Sequence, residues 1–411
     1  MTVLRNIGQL ATCPVDSAQQ DAGLIEHAAL VFEQERIVWA GPEQELPEDF
    51  ASSGFIDCGQ RLVTPGLIDC HTHLCFGGWR SDEFEMRLQG IRYQDIAAAG
   101  GGIRSTVAAT RSDSAEQLRA KALHALQRIL DLGVTTLECK SGYGLEAATE
   151  LKQLSVYRQL DALQPVELIS TFLGAHMVPD EYQHDREGYI SLLCDQLIPK
   201  VAEQNLAQFC DIFIEEGAFS IDEASKILDV ARCAGLGLKV HADQLSNGGG
   251  AQLAAGMGAI SAEHLEYADE RGIEALAGAG TVAVSLPLAS LYLGERYMPA
   301  RSMLAAGVKV AVATDFNPGS APSYHLPLAM TLACINQQMT PQEVLMGVTT
   351  VAARAVAAEQ RIGSLQAGYD ADIAIFDVPS LNHWLYHFQA NACCGVIKSG
   401  QWHRSFNSCS A

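Results

Sequence analysis

The sequence predicts an α/β protein in which a (β/α)8 TIM-like barrel is joined to a smaller β-sandwich domain. Through the middle of the chain, eight apolar strand patterns alternate with amphipathic helices, as in a closed parallel barrel. Both chain ends instead show strands and turns without long helices. With 411 residues and a hydrophobic content of 48%, the chain can form one large core and one smaller one.

The first 64 residues and residues 365–411 are predicted to form the smaller, discontinuous β domain. Near the N-terminus, the apolar segments Ala29–Phe32 and Ile37–Ala40 flank a polar turn. Near the C-terminus, a strand pattern precedes a hairpin with Ser399-Gly400 at its turn. Neither end has enough residues to bury a sheet alone, so we expect the two ends to pair.

Residues 65–364 are predicted to form the barrel. Its candidate strands are Gly66–His73, Val134–Cys139, Glu167–Gly174, Phe209–Glu215, Gly237–His241, Ala259–His264, Thr281–Leu286 and Lys309–Asp315. Helix starts between the strands are well marked. Ser114 and Gln117 have the spacing of a capping box, and Thr340 precedes Pro341 as an N-cap precedes the first helical residue.

Two histidines close the first predicted strand, where residues 67–73 read Leu-Ile-Asp-Cys-His-Thr-His. Because side chains alternate along a strand, His71 and His73 point the same way. An isolated His-x-His is more often part of a polar loop, but other strands here also end in polar side chains. These are Glu138, Lys140, His176, Glu215, Glu216, His241, Asp243, Gln244, His264 and Asp315. Barrel enzymes place their sites at this edge, so the sequence predicts a metal site there.

A set of three histidines and one aspartate favours Zn²⁺ or iron over Mg²⁺ and Ca²⁺, which prefer oxygen ligands. Such an ion lowers the pKa of water to about 7 and polarises a carbonyl group. The Asp315 carboxylate is placed to accept the proton of that water and to pass it to a leaving nitrogen. The pattern therefore predicts hydrolysis of an amide or amidine bond.

Each of these residues also has a purely structural interpretation. Asp315 follows a strand, where aspartate commonly caps a helix. His264 would also fit a buried histidine that is hydrogen-bonded to the backbone. Lys140 and the Glu215-Glu216 pair are equally consistent with ordinary ion pairs.

The net charge of the chain restricts the classes of molecule that it is expected to bind. A formal net charge of −21 disfavours nucleic acid and membrane surfaces, and an anionic substrate would need a local cationic pocket. No secretory signal or membrane-spanning apolar run is visible, so we expect a cytoplasmic protein whose 12 cysteines are free thiols. We also expect a homodimer, the commonest assembly.

Residues 65–73 and Gly368–Ile373 resemble the amidohydrolase superfamily. Narrower similarity lies in Gly100–Val107, Lys140–Leu145, Thr171–His176, His241–Ser246 and Ala313–Ser320. These segments resemble members that hydrolyse 4-imidazolone-5-propanoate to N-formimidoyl-L-glutamate in histidine degradation. The resemblance implies a metal-dependent cyclic amidohydrolase with a small anionic heterocyclic substrate, in which metal-activated water attacks the ring carbonyl and a C–N bond opens.

The resemblance also implies roles for individual residues. One divalent or trivalent transition metal ion per subunit, zinc or iron, would be held by His71, His73, His241 and Asp315. Asp315 and His264 would be the catalytic residues, moving protons and stabilising charge. The substrate-binding residues would be Arg80, Tyr143, His176, Gln244, Asn317, Gly319 and Ser320. Arg80 and Tyr143 would bind the propionate carboxylate, which suits the two-pronged guanidinium.

Some alternatives remain open at this point. Many superfamily members bridge two metal ions with a lysine on the fourth strand, but residues 209–216 contain none, so we expect one ion. Arg80 would also fit a surface ion pair with Asp82. A deaminase acting on a nucleobase-like heterocycle would not need Arg80. An inactive scaffold barrel is a further alternative, although all four candidate ligands are present.

Overall fold

The computed structural model describes residues 1–51, 54–91 and 100–405, which contain two eight-stranded sheets. The strands are β1 Thr2–Ala11, β2 Leu24–Glu33, β3 Arg36–Pro42, β4 Phe55–Asp57, β5 Leu62–Pro65, β6 Leu67–Asp69, β7 Val134–Lys140, β8 Glu167–Ala175, β9 Phe209–Ile214, β10 Gly237–Ala242, β11 Ser261–His264, β12 Val282–Ser285, β13 Val310–Val312, β14 Ile373–Phe376, β15 Cys393–Lys398 and β16 Gln401–Arg404.

The α-helices in the described part of the chain lie mainly between the barrel strands. They span Glu48–Ala51, Ser81–Leu88, Ile103–Ser112, Ala115–Asp131, Ala147–Asp161, Arg186–Leu192, Ile198–Glu203, Ile221–Cys233, Gly250–Met257, Glu270–Ala279, Pro287–Leu293, Ala300–Ala305, Leu326–Gln337, Pro341–Gly347, Thr350–Ala355 and Leu381–Tyr386. Both predicted caps, Ser114 and Thr340, form complete capping boxes. No helix within the described ranges has the length and apolar character needed to cross a membrane.

The predicted barrel is confirmed. Strands β6 to β13 are parallel, and each pairs with the next one along the chain. The first and last strands are joined by the carboxylate of Asp69, which accepts hydrogen bonds from the Thr314 amide at 3.1 Å and its hydroxyl at 2.6 Å. Beyond them, Thr72 pairs with Phe316 as a β-bridge. These contacts complete the closure at the carboxyl ends of the strands.

The ends of the first and last barrel strands differ from the prediction. β6 stops at Asp69, so His71 and His73 lie in the segment after the strand instead of closing it. The physical reason is barrel closure. Past Asp69 the backbone pairs across the seam: the Asp315 amide donates to the His71 carbonyl at 3.0 Å, and the His73 amide to the Phe316 carbonyl at 2.9 Å. The two imidazole rings still lie together, with centroids 5.4 Å apart.

The strands of the two chain ends form one continuous sheet, as expected. Its order is β16-β15-β14-β5-β1-β2-β3, with β4 on β1, and the antiparallel pair of β5 and β14 joins the N-terminal to the C-terminal strands. This sheet has its own buried core, which includes Leu4, Leu30, Ile373 and Ile397. The boundaries at residues 64 and 365 stay a prediction.

Burial should control the reactivity of the thiols. Cys233 is exposed, whereas Cys13 and Cys58 are fully buried, and burial raises the pKa of both buried thiols to about 12. We expect iodoacetamide to alkylate Cys233 in the native protein at least ten times faster, roughly, than Cys13 or Cys58. Peptide mass spectrometry over a time course measures the three rates. Equal alkylation rates of the three thiols in the native protein would contradict the burial of Cys13 and Cys58. As the control, the three rates should become equal in guanidinium, which unfolds the protein.

Candidate active site

Side chains that follow the barrel strands line one cavity of about 630 Å³ at the carboxyl ends of the strands. All predicted catalytic and substrate-binding residues line this cavity, including Asp315, which is also a predicted metal ligand. Two further predicted metal ligands, His73 and His241, line it as well. Together, the predicted residues that line the cavity are His73, Arg80, Tyr143, His176, His241, Gln244, His264, Asp315, Asn317, Gly319 and Ser320. His71 lies beside them, fully buried. The structure therefore brings the predicted residues together, although they come from distant parts of the chain.

Three histidines and one aspartate form a compact, buried cluster. Asp315 Oδ1 lies 3.4 Å from His71 Nε2 and 3.3 Å from His73 Nε2. The His241 ring centroid is 4.7 Å from that of His71. Burial lowers the pKa of His71 and His73. Burial alone would raise the pKa of Asp315, but the two histidines outweigh it and hold this pKa well below its usual value. Neutral imidazoles and a carboxylate are the donors that zinc and iron require.

The cluster fits a transition metal ion. His71 Nδ1 and His241 Nε2 are buried without a hydrogen-bond partner among the described residues, an unfavourable state for polar atoms. Donor atoms of His71, His73 and Asp315 all lie within 4.8 Å of one another, and so do those of His71, His241 and His264. The two groups share His71, and a cation bound at either of them would satisfy the donors of that group.

The backbone is strained where several strands end at the site. Asp243, His264 and Asp315 have φ values of 50°, 73° and 56°, in the left-handed region that L-residues rarely adopt. Such conformations cost about 1–3 kcal/mol each and persist only where the surroundings impose them. At Asp315, the hydrogen bond from its own amide to the His71 carbonyl helps to impose this conformation. Strain of this kind is typical of functional sites.

His264 faces a carboxylate. Its Nδ1 atom is 3.6 Å from Glu266 Oε1 and has no hydrogen-bond partner among the described residues. The backbone-bonded interpretation of His264 therefore lacks support. Burial lowers the pKa of His264, but the carboxylates of Glu266, Asp315 and Glu263 outweigh it, so that this pKa is raised. The imidazole can thus carry a positive charge near the cluster.

Arg80 is positioned by its contact with Gly319. A Cβ atom at residue 319 would lie 1.7 Å from Arg80 Nη2, so any larger residue there would displace the guanidinium from this position. Arg80 Nε is buried without a hydrogen-bond partner in the described ranges, and the alternative ion pair with Asp82 does not form there. Tyr143 packs 5.7 Å from His73 and 5.5 Å from His176, measured between ring centroids. Arg80 therefore offers a guanidinium to the cavity.

Asn317 lines the cavity but uses its side chain to shape the loop after β13. Its Nδ2 donates to the Asp315 carbonyl at 2.6 Å and to Ser320 Oγ at 2.9 Å. Its Oδ1 accepts from the amides of Gly319 and Ser320 at 2.7 and 2.8 Å. Asn317 thus holds Gly319 and Ser320 in place, a role that sequence reasoning did not separate from direct substrate contact.

The structure resolves the open interpretations of Glu215 and Lys140. The Glu215 carboxylate accepts from the amides of Leu245 and Ser246 and from the Ser246 hydroxyl, so it fixes the loop that carries Gln244. Lys140 is a buried ion-pair partner of Glu138 and of Asp211.

Asp211 is a residue that sequence reasoning missed. Its Oδ2 lies 3.0 Å from His241 Nδ1, the contact by which a carboxylate orients a ligating histidine. One signal was present in the sequence: residues 209–214 read Phe-Cys-Asp-Ile-Phe-Ile, with a single acid inside an apolar strand. An unpaired carboxylate would be costly there, so a partner had to be expected.

A closed parallel barrel with a buried histidine–aspartate cluster at the carboxyl ends of its strands defines the class of metal-dependent hydrolases. The sequence model of the amidohydrolase family matches residues 62–403. An atrazine chlorohydrolase mutant from Arthrobacter aurescens TC1, complexed with zinc and atraton, has the same fold. Its TM-score is 0.73 at 16% identity, over 98% of this chain and 95% of that one.

Two curated relatives are much more similar in sequence, and both are named imidazolonepropionase. The one from Fusobacterium nucleatum is 46% identical over 404 residues, covering 97% of this chain and 98% of the relative. The one from Bacillus velezensis is 46% identical over 406 residues, covering 97% and 96%. The chain therefore belongs to the amidohydrolase family and, within it, to the imidazolonepropionases.

Proposed function

We propose that this protein hydrolyses the ring of 4-imidazolone-5-propanoate to N-formimidoyl-L-glutamate, a step of histidine degradation. The observation that carries the proposal is one cavity lined both by His73, His241 and Asp315 of the cluster and by the Arg80 guanidinium, which has an unpartnered buried nitrogen. In a chain of net charge −21, such a local cation suits an anionic substrate. The names of the relatives support the same reaction.

We propose that the cluster of His71, His73, His241 and Asp315 holds one zinc or iron ion per subunit. The zinc in the related chlorohydrolase structure and the unpartnered imidazole nitrogens support this assignment. When bound, such an ion polarises a carbonyl oxygen and lowers the pKa of water to about 7.

Substrate orientation would depend on the other side chains that line the cavity. Arg80 and Tyr143 would bind the propionate carboxylate, which places the ring between them and the histidine–aspartate cluster. His176 would contact the ring, and its own orientation is set by the Gly142 carbonyl, 3.0 Å from His176 Nδ1. Gln244 would contact the ring from the loop that Glu215 fixes. These contacts hold the ring carbonyl at the cluster.

Asp315 and His264 would manage the protons and the charge. Asp315 accepts a proton from the attacking water as the water oxygen bonds to the ring carbonyl carbon. The positively charged form of His264 stabilises the negative charge that develops on the carbonyl oxygen. The C–N bond then breaks, the nitrogen keeps the electron pair, and Asp315 returns the proton to it. The carbonyl carbon becomes the new carboxylate of the product.

Removal of the metal should abolish this reaction. We expect dialysis against a chelator to reduce turnover to a few per cent, roughly, because the Asp315 carboxylate alone is too weak a base for water whose pKa no metal ion has lowered. Added Zn²⁺ or Fe²⁺ should restore it. Loss of the ring's ultraviolet absorbance measures the rate, and mass spectrometry identifies the product.

The same assay distinguishes the alternatives. Unchanged turnover in a metal-free preparation would contradict the proposal. Release of ammonia from an amino-substituted heterocycle, without turnover of the imidazolone, would indicate a deaminase. A fully metal-loaded protein that turns over neither compound would indicate a scaffold.

A further inference from the structure

A second group of possible cation ligands lies inside the barrel and shares His241 with the first cluster. Donor atoms of Asp211, His241 and Glu263 lie within 4.8 Å of one another, and all three side chains are buried. They stand on the adjacent strands β9, β10 and β11, where His241 pairs in register with Glu263. Two carboxylates and an imidazole at this spacing are suitable ligands for a divalent ion.

Ammonium groups already contact both of these carboxylates. Lys140, on β7, places its Nζ atom 2.7 Å from Asp211 Oδ2 and 2.8 Å from Glu138 Oε1, with all three side chains fully buried. Lys239 Nζ lies 3.5 Å from Glu263 Oε1 and donates to Ser261 Oγ at 2.8 Å. Three buried carboxylates are thus compensated by two lysines.

The Lys140 ammonium is held in its charged form. Burial alone would lower the pKa of Lys140, but Asp211, Glu138 and Glu263 outweigh burial and raise it. Like charges repel strongly where water is excluded. A divalent ion next to Asp211 would therefore have to displace the ammonium or accept a positive charge at close range.

We propose that the Lys140 ammonium serves as a fixed cation in the place that a second metal ion would take beside Asp211, and so limits the barrel to a single ion. The inference rests on the metal site of the proposed function. Asp211, neutralised by Lys140, remains beside His241 Nδ1 at 3.0 Å and leaves His241 Nε2 for the ion of the first cluster. The fourth strand, residues 209–216, contains no lysine that could bridge two ions, and the Lys140 ammonium would supply a positive charge in place of the second ion.

The test is metal stoichiometry, measured without reference to activity. Full-length wild type and Lys140→Met are loaded with excess Zn²⁺ or Co²⁺, freed of unbound metal by gel filtration, and analysed by elemental and native mass spectrometry. We expect one ion per chain in wild type and two in Lys140→Met. The double variant Lys140→Met/Asp211→Asn should return to one, because it lacks the carboxylate that holds the added ion. Lys226→Met, an exposed lysine, is the matched control and should hold one.

The outcomes separate this inference from the proposed function. Wild type without any ion would overturn the proposed metal site itself. One ion in both wild type and Lys140→Met would overturn the inference alone. Two ions in wild type would overturn the inference and also the single-ion stoichiometry of the proposed function.

Lys140→Met leaves buried carboxylates unpaired and can therefore fold poorly. We then expect soluble protein to be recovered when the growth medium contains zinc, since the added ion takes over from the ammonium. The milder variant Lys140→Gln should show the same zinc dependence, as a melting temperature that continues to rise between one and two equivalents of Zn²⁺. Failure to recover either variant at any zinc concentration, or a melting temperature that stops rising at one equivalent, would overturn the inference.

Discussion

Asp315→Asn is expected to reduce kcat by at least about 10³-fold, because in the proposed reaction one carboxylate would serve both as a metal ligand and as the proton acceptor. Asparagine has nearly the same shape, and the hydrogen bond from the backbone amide of residue 315 to the His71 carbonyl does not involve the side chain. The fold should therefore survive. Steady-state loss of the ring's ultraviolet absorbance measures the effect, with metal content determined on the same preparation.

The control for this substitution is Asp229→Asn. Asp229 is exposed and forms an ion pair with Arg232 of its own helix, so its substitution should leave kcat unchanged. If Asp315→Asn turned over at the full rate, Asp315 would have no part in the reaction. If Asp315→Asn lost activity only in proportion to its lost metal, its role would be that of a ligand without proton transfer.

Arg80→Ala is expected to lower kcat/KM for the carboxylate substrate by about 10²–10³-fold, mainly through KM. The reason is the loss of a partly buried, charge-assisted contact, which costs about 2–5 kcal/mol when one partner is removed. An imidazolone that lacks the propionate carboxylate should react equally slowly with wild type and variant. Arg80→Lys should recover only part of the loss, since a lysine cannot bind both carboxylate oxygens in the same geometry.

Two further variants sharpen this test. Gly319→Ala should act in the same direction as Arg80→Ala, because its Cβ atom would occupy the space of the guanidinium. Arg119→Ala, whose side chain bonds to Gln159 on the outer helices, should leave both substrates unaffected. An equal loss of kcat/KM for the two substrates in Arg80→Ala would contradict carboxylate binding and would favour a neutral substrate.

Much of the fold was predictable because it depends on local patterns. Apolar runs bounded by helix caps such as Ser114 and Thr340 identified all eight barrel strands. The bounds of the first and last strands were predicted less well. Where the barrel closes, hydrogen bonds between residues 69–73 and 314–316 replace regular strand pairing, and no local pattern encodes partners so distant in the chain.

The candidate site, like the fold, was predictable from the sequence only in part. The positions of His71, His73, His241 and Asp315 at the ends of predicted strands were enough to expect a metal cluster, because parallel strands end at one edge. The roles of residues behind the cavity were not predictable. Asp211, for example, orients His241 only because β9 and β10 are neighbours.

The sequence by itself determined the period of the strands, the chemistry of the donor set and the net negative charge, since each depends on residue type and spacing. Only the tertiary structure decided which carboxylate faces which cation. Lys140 lies between Glu138 and Asp211, Arg80 lies against Gly319, and Asn317 turns into its own loop. The physical reason is that the energy of a buried charge depends on neighbours within a few ångströms, and barrel closure selects those neighbours from distant strands.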